Sequence, residues 1–154
     1  MLSKFISLFI VLVLLSCQPF IKRKPQSLSN QLPGPNWQKV EMIVTAYCHC
    51  TSCCGWVLND KKQAVYSYGK NKGKRKKVAY TSSRVYVQHG TIAADISMHA
   101  YGTKMYIPGY GLGVVEDIGG KIKGKHIDIY FTNHQNALEW GRKTLSVQIL
   151  KPSS

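Results

Sequence analysis

The sequence predicts a mostly β domain, of the small-barrel or sandwich class, with one short helix. Short runs of β-branched and aromatic residues recur from Val40 onward and are separated by glycines. Only the segment His134 to Trp140 has helical character, with Asn133 as its candidate cap and Gly141 as its stop residue. The 154 residues leave room for one domain of ordinary size and a leader.

The predicted strands are short runs rich in β-branched and aromatic residues. They are Val40 to Tyr47, Ala64 to Tyr68, Lys77 to Tyr80, Thr91 to Ala94, Lys104 to Ile107, Leu112 to Glu116, His126 to Phe131 and Thr144 to Leu150. The sequence has no internal repeat, no phosphate-binding loop and no dinucleotide-binding glycine pattern. These absences argue against nucleotide chemistry.

The chain opens with a predicted export signal. Lys4 precedes an apolar run of about ten residues, which suits a secretory signal and is too short to span a bilayer comfortably. The run ends in Leu-Leu-Ser-Cys, which resembles the lipobox of bacterial lipoproteins, so we interpret residues 1–17 as a lipoprotein signal peptide acylated at Cys17. A plain signal peptide is the alternative. By the same resemblance, Gln18 implies passage to the periplasmic face of the outer membrane.

Residues 18–38 are predicted to form a flexible tether. They are rich in proline and polar residues and lack apolar periodicity. The folded domain is therefore predicted at residues 39–151.

The chain is strongly basic, with a formal net charge of +14. Removal of the leader takes away Lys4 and leaves +13, because all seven acidic residues follow the leader. Such a field favours polyanions in general, including the acidic polymers of a bacterial wall. The densest basic run, Lys70 to Lys77, has no interleaved aromatic residues to stack on bases, so we expect a solvated loop and no nucleic-acid partner.

The cysteines after Cys17 form one cluster. They are Cys48, Cys50, Cys53 and Cys54, in the sequence CHCTSCCG. Because export places these thiols in an oxidising compartment, two local disulfides are the leading interpretation, and four cysteines allow three pairings. A zinc site, to which His49 would add a donor, is the alternative, although neighbouring cysteines strain a single tetrahedral shell. We therefore assign no metal from the sequence.

Three aspartates are the candidate catalytic residues. Asp128 alternates with Ile127 and Ile129 in a predicted strand, so its side chain points to the opposite face. Asp117 ends a strand just before two glycines, which let a ligand approach the backbone closely, and Asp95 closes another apolar strand. Taken singly, such aspartates are at least as well explained as turn formers that accept bonds from nearby amides.

The segment from Gly90 to Leu150 carries a family resemblance. It reads GTIAADISMHAYGTKMYIPGYGLGVVEDIGGKIKGKHIDIYFTNHQNALEWGRKTLSVQIL and strongly resembles the three-aspartate (3D) domain. Upstream, VTAYCHCTSCCG, from Val44 to Gly55, resembles the opening strand and cysteine cluster of some members. The resemblance implies a six-stranded double-psi β-barrel, shared with membrane-bound lytic transglycosylase A and, more distantly, with expansins and rare lipoprotein A.

The same resemblance implies a peptidoglycan lytic transglycosylase, which cleaves MurNAc–GlcNAc bonds and leaves 1,6-anhydro-MurNAc ends. Asp95, Asp117 and Asp128 match the family's three aspartates, and Asp128 is the implied general acid and base. Clustered carboxylates suit this chemistry because nearby negative charge raises the pKa of an acid that must be protonated near neutral pH. The residues implied to line the glycan groove are Thr45, Tyr47, Gly119 and Gly120.

Other functions remain open from the sequence. A hydrolase would use the same carboxylates and add water at C1. An aspartic protease is faintly suggested by Asp117-Ile118-Gly119, although Ile118 lacks the hydroxyl of the usual loop. The main alternative is a noncatalytic peptidoglycan-binding lipoprotein, and an envelope-assembly role would leave the aspartates as turn formers. We expect no cofactor, and a monomer held in the cell envelope by its lipid anchor.

Overall fold

The structure is a computed structural model and describes residues 36–150. The predicted signal peptide at 1–17, acylation at Cys17 and most of the tether at 18–38 lie outside the described residues, so they stay predictions. Within residues 36–150, neither helix has the length and apolar character needed to cross a membrane.

The described chain is mostly β, as predicted. Its elements, in order, are β1 (Gln38–Tyr47), α1 (Thr51–Cys54), β2 (Trp56–Leu58), β3 (Ala64–Tyr66), β4 (Thr91–Ala93), β5 (Lys104–Ile107), β6 (Gly111–Asp117), β7 (His126–Tyr130), α2 (His134–Trp140) and β8 (Lys143–Leu150). The predicted helix is confirmed as α2, where the Asn133 side chain accepts the Asn136 N–H at 2.8 Å and Gly141 ends the helix.

Two details of the secondary structure correct the sequence interpretation. The one-turn helix α1 is a second helix, and it is capped by the Cys50 side chain instead of being marked by apolar periodicity. The predicted strand from Lys77 to Tyr80 is reduced to an isolated bridge between Tyr80 and Tyr86. Its extended path is interrupted because Ala79 has φ +61°, in the left-handed region.

Six strands close into a barrel in the order β1-β7-β4-β6-β5-β8. The pairs β1/β7 and β4/β6 are parallel, and the other four pairs are antiparallel. Strands β2 and β3 form a separate two-stranded sheet. The predicted six-stranded barrel is confirmed, and its closure pairs strands that would otherwise expose free edges.

The barrel interior is filled by the inward-facing residues of every strand. Its fully buried members are Met42, Val44, Ile92, Met105, Ile107, Val115, Ile127, Ile129 and Val147. The alternation predicted for β7 is confirmed, because Ile127 and Ile129 are both 0% exposed and Phe131 packs against the same cluster. The outward-facing residues of these strands are consequently available for a site.

A close backbone approach fixes the parallel pairing of β4 with β6. A Cβ atom at Gly113 would lie 2.6 Å from Ile92 Cδ1 and 2.7 Å from the Gly90 carbonyl oxygen, so only glycine fits there. Tyr110 supports the same region, since its hydroxyl accepts the Gly90 N–H and donates to the Tyr130 carbonyl, each at 2.8 Å. These contacts set the register that places the site residues.

The long connection between β1 and β4, residues 48–90, lies against the outer face of the barrel. It contains α1 and the β2–β3 hairpin. Beneath it, Tyr47, Val87, Ala93 and Tyr130 form a second buried cluster, separate from the barrel interior. This connection builds one wall of a groove over the outward-facing residues of β1, β7, β4 and β6.

Candidate functional site

A row of outward-facing residues crosses four neighbouring barrel strands. Thr45 of β1 pairs with Asp128 of β7, and Ala93 of β4 pairs with Asp128 on one side and Asp117 of β6 on the other. Two strand spacings, about 10 Å in all, therefore separate the Cα atoms of Asp117 and Asp128. The small Ala93 side chain between them leaves the space above both carboxylates open.

A β-bulge decides which acidic residue of β6 enters this row. The register shifts between Ile92 and Ala93, so that Ala93 pairs with Asp117 and not with Glu116. Bulges commonly redirect side chains next to functional sites. Glu116 is instead 4% exposed and accepts a hydrogen bond from Thr91 Oγ1 at 3.0 Å.

Asp128 has the most perturbed carboxyl of the site. The Thr45 hydroxyl donates to its Oδ1 at 2.8 Å and also lies 2.9 Å from His126 Nε2. Burial raises the pKa of Asp128 to about 6, the Thr45 hydrogen bond opposes this shift, and the charge of Asp117 adds to it. Such a carboxyl keeps a proton in mildly acidic to near-neutral solution and can donate it.

Asp117 is held by three donors. The Ser82 and Ile118 N–H groups each donate to Oδ1 at 2.9 Å, and the Tyr47 hydroxyl donates to Oδ2 at 3.2 Å. Burial, followed by the charge of Asp117, raises the pKa of the Tyr47 hydroxyl well above its ordinary value, so Tyr47 remains a donor. The carboxylate is thus fixed as an oriented negative charge at the groove.

Asp95 has hydrogen-bond partners different from those of the other two aspartates. It is not among the side chains that line the groove. Its Oδ1 accepts from the Ser97 hydroxyl at 2.7 Å, and its Oδ2 accepts the Gly124 N–H at 3.0 Å. The bonds from Gly124 and Ser97 lower the pKa of Asp95 to about 2. These bonds are those of a turn former that ties two loops together.

The groove has a volume of about 390 Å³, and its walls are unusually rich in aromatic residues. The predicted residues Tyr47, Gly119 and Gly120 line it together with Asp117 and Asp128, whereas Thr45 is not a lining residue and donates to Asp128. The aromatic members that the sequence analysis missed are Trp56, Tyr66, Tyr68 and Tyr80. They come from the connection between β1 and β4, and only its tyrosine-rich composition could have indicated them.

The basic run Lys70 to Lys77, which was predicted to be a solvated loop, also contributes a residue to the groove. Lys76 lines the groove, and its Nζ lies 4.4 Å from the centre of the Tyr66 ring. An ammonium group over an aromatic face is stabilised by the ring quadrupole. Lys76 therefore places a positive charge beside the aromatic wall.

The four clustered cysteines are free thiols in the structure. This differs from the leading interpretation of two disulfides. Cys48, Cys50 and Cys53 converge on the Nδ1 atom of His134, at 3.8, 3.5 and 3.4 Å. His49, the donor considered from the sequence, lies elsewhere, with Nδ1 2.6 Å from the Tyr130 hydroxyl.

Comparison with known proteins gives a consistent set of matches. The model of the family described as "3D domain" matches residues 90–151. "Cell wall-binding protein YocH" of Bacillus subtilis is 42% identical over 59 residues, which are 38% of this chain and 21% of that protein. "Putative cell wall shaping protein YabE", also of Bacillus subtilis, is 39% identical over 59 residues, which are 38% of this chain and 14% of that protein.

Solved structures of MltA from Escherichia coli also match. The crystal structure of MltA has 27% sequence identity and a TM-score of 0.40, over 48% of this chain and 28% of MltA. The structure with bound chitohexaose has 26% identity and a TM-score of 0.41, over 49% of this chain and 28% of MltA. The chain thus spans less than a third of the length of each of these proteins.

Proposed function

We propose that the protein is a peptidoglycan lytic transglycosylase, starting from the match of residues 90–151 to the family model described as "3D domain". The proposed reaction cleaves the MurNAc–GlcNAc bond of glycan strands and leaves a 1,6-anhydro-MurNAc end. The observation that carries the proposal is Asp128, a largely buried carboxyl with a pKa of about 6 at an aromatic groove, with a second carboxylate nearby.

In the proposed mechanism, neutral Asp128 first acts as the general acid. It donates its proton to the glycosidic oxygen while the bond from C1 to that oxygen breaks, and positive charge develops at C1 and the ring oxygen. The resulting Asp128 carboxylate then accepts the proton of the MurNAc C6 hydroxyl as that oxygen attacks C1. No water is consumed, and Asp128 returns to its neutral form.

Asp117 has an electrostatic role in this proposal. Its donors, the Tyr47 hydroxyl and the Ser82 and Ile118 N–H groups, hold its carboxylate in place before reaction. A preorganised negative charge stabilises the developing oxocarbenium ion without reorganisation at the moment of bond cleavage. Its charge also helps to keep Asp128 protonated. Asp95 positions the loop at Gly124 and takes no part in the chemistry.

The groove walls are suited to a glycan. Aromatic rings such as Trp56 and Tyr66 pack against the C–H faces of sugar rings, and the Gly119-Gly120 backbone allows close approach. Lys76 would meet the carboxylates of MurNAc lactyl groups or of attached peptides. Glycan strands are accordingly the proposed partner.

A noncatalytic peptidoglycan-binding protein is the second candidate function. The observation that favours it is the relative whose name is "Cell wall-binding protein YocH", which describes binding and not cleavage. The same aromatic groove would serve either role, because stacking on sugar rings does not depend on Asp128.

The decisive experiment compares the chain without its leader and its Asp128→Asn variant on purified peptidoglycan, with products identified by mass spectrometry. Asparagine keeps the shape of the side chain and an acceptor for the Thr45 hydroxyl, so circular dichroism should show both proteins folded. We expect 1,6-anhydromuropeptides from the wild type and at least about a hundredfold less from the variant. Reducing-end products would indicate a hydrolase, and binding without release would establish the second candidate.

We further propose that the protein belongs to the cell envelope and is anchored by lipid at Cys17. The proposal rests on the predicted leader at 1–17, the predicted tether at 18–38 and the cell-wall names of the relatives. The outer membrane, with the domain on its periplasmic face, is the proposed site, and the domain acts as a monomer. Fractionation of cells should place the wild type with membranes and Cys17→Ser in the soluble fraction, and mass spectrometry should find diacylglycerol only on the wild type.

A further inference from the structure

A cluster of four side chains of the types that ligate metals lies at one end of β1, outside the pair of aspartates. Cys48, Cys50 and Cys53 come from the turn after β1, and His134 is the first residue of α2. All four donor atoms lie within 4.8 Å of one another. The three sulfur atoms lie 3.8, 3.5 and 3.4 Å from His134 Nδ1, and Cys48 Sγ lies 3.9 Å from Cys53 Sγ.

These separations are those of a tetrahedral zinc shell. With Zn–S bonds of about 2.3 Å and Zn–N bonds of about 2.0–2.1 Å, tetrahedral geometry requires about 3.8 Å between sulfurs and about 3.6 Å between sulfur and nitrogen. A disulfide instead requires its two sulfurs to lie about 2.05 Å apart. The observed distances match the first arrangement and not the second.

We propose that Cys48, Cys50, Cys53 and His134 bind one Zn²⁺ ion as a structural site. Three thiolates and one imidazole are a donor set that selects zinc over the oxygen-preferring Mg²⁺ and Ca²⁺. Four protein ligands complete the tetrahedron, so no position is open for substrate or water. This inference goes beyond the proposed function and does not depend on it.

The local backbone supports this use of the cysteines. Cys50 and Cys53 are separated by two residues, and the Cys53 N–H points at Cys50 Sγ at 3.4 Å, so the sulfur accepts a backbone hydrogen bond while it caps α1. Gly55, with φ +54°, ends this turn. Such a compact turn aims both sulfur atoms at the same point.

Cys54 provides an internal control for this proposal, because it is the one cysteine of the segment that is not a proposed ligand. Its thiol turns away from the cluster and donates to the Cys48 carbonyl oxygen at 3.1 Å. It lines the groove, as Cys53 does. Only Cys53 of this neighbouring pair belongs to the cluster. The two adjacent cysteines therefore do not have to share one tetrahedral zinc shell.

The proposed zinc would connect distant parts of the chain beside the groove. It joins the end of β1 to α2, while His49, between two of the ligands, has Nδ1 2.6 Å from the Tyr130 hydroxyl. The Trp56 indole N–H donates to the His49 carbonyl at 2.9 Å, so this groove wall is fixed to the same turn. Loss of zinc should loosen the wall without altering the barrel interior.

The test uses the full chain, purified in detergent with a reducing agent present, and measures metal content by inductively coupled plasma mass spectrometry. We expect about one zinc ion per chain in the wild type and in Cys54→Ser. In Cys50→Ser and His134→Ala the zinc content should fall at least about tenfold. Equal loss of zinc from Cys54→Ser, or a wild type that stays free of zinc after reconstitution with equimolar Zn²⁺, would overturn the proposal.

A second measurement on the wild type does not depend on whether the variants fold. Titration with Co²⁺ should produce the ligand-field bands of a tetrahedral ion and strong thiolate-to-cobalt charge-transfer absorption, both saturating at one equivalent. In the folded chain, zinc should also protect Cys48, Cys50 and Cys53 from alkylation and leave Cys54 to react. Octahedral cobalt spectra, or two disulfides in the protein isolated without reductant, would count against the site.

Discussion

Replacement of Asp128 by asparagine should make the protein more stable at alkaline pH than the wild type. The folded-state pKa of Asp128 is about 6, compared with 3.8 for an ordinary aspartate. At 1.36 kcal/mol for each pKa unit, ionising this carboxyl in the folded protein costs about 3 kcal/mol more than in the unfolded chain. Asparagine carries no charge and avoids that cost.

The direction of this stability change follows from the linkage between protonation and folding. A raised pKa means that the folded state binds more protons than the unfolded state between pH 3.8 and about 6. The stabilising contribution of neutral Asp128 is complete below pH 3.8 and is lost as the pH rises through about 6. The stability difference between Asp128→Asn and wild type should therefore grow by about 2–3 kcal/mol from pH 4 to pH 8.

Urea unfolding of the two proteins at several pH values, followed by circular dichroism, measures this difference. Ionisable groups that do not interact with Asp128 contribute equally to the stability of both proteins, so their contributions cancel in the comparison. A difference that stays constant within about 0.5 kcal/mol over this pH range would refute the assignment of a raised pKa to Asp128.

Three further substitutions test the rest of the structure. In Asp117→Asn the pKa of Asp128 should fall below about 6, because a nearby negative charge is removed, and turnover of glycan should drop about a hundredfold. In Thr45→Val that pKa should instead rise, because the hydrogen bond that opposes the shift is lost. Carboxyl ¹³C NMR titration measures both shifts, and an unmoved titration curve would contradict the assigned causes. Ile127→Ala, in the barrel interior, should cost about 2–5 kcal/mol of unfolding free energy in urea, whereas a loss under about 1 kcal/mol would contradict tight packing there.

The alternation of apolar and polar residues along the sequence predicted the barrel strands well. The alternation of Ile127 and Ile129 with Asp128 predicts the buried and outward faces of β7, and the structure has the same faces. The boundaries of β5 and α2 also agree with the sequence interpretation. These features were predictable because the buried face of a strand and the cap of a helix depend on residues only a few positions apart in the sequence.

The candidate site was less predictable, because its members meet through strand pairing. Asp117 and Asp128 lie on either side of Ala93 only because β4 pairs with both β6 and β7. The bulge that brings in Asp117 and buries Glu116 has no local signature in the sequence. The resemblance grouped Asp95 with the other two, yet its bonds to Ser97 and Gly124 give it a supporting place outside the groove.

The sequence by itself determined the β-rich domain, the outward placement of Asp128 and the concentration of thiols after β1, because each is a property of a short segment. Only the tertiary structure decided which carboxylates share a groove and which histidine meets the thiols. His134 lies 81 residues after Cys53 along the chain but 3.4 Å away in space. Such pairings depend on how the closed barrel sets the register of distant strands, and the period-two pattern of a single strand does not contain that information.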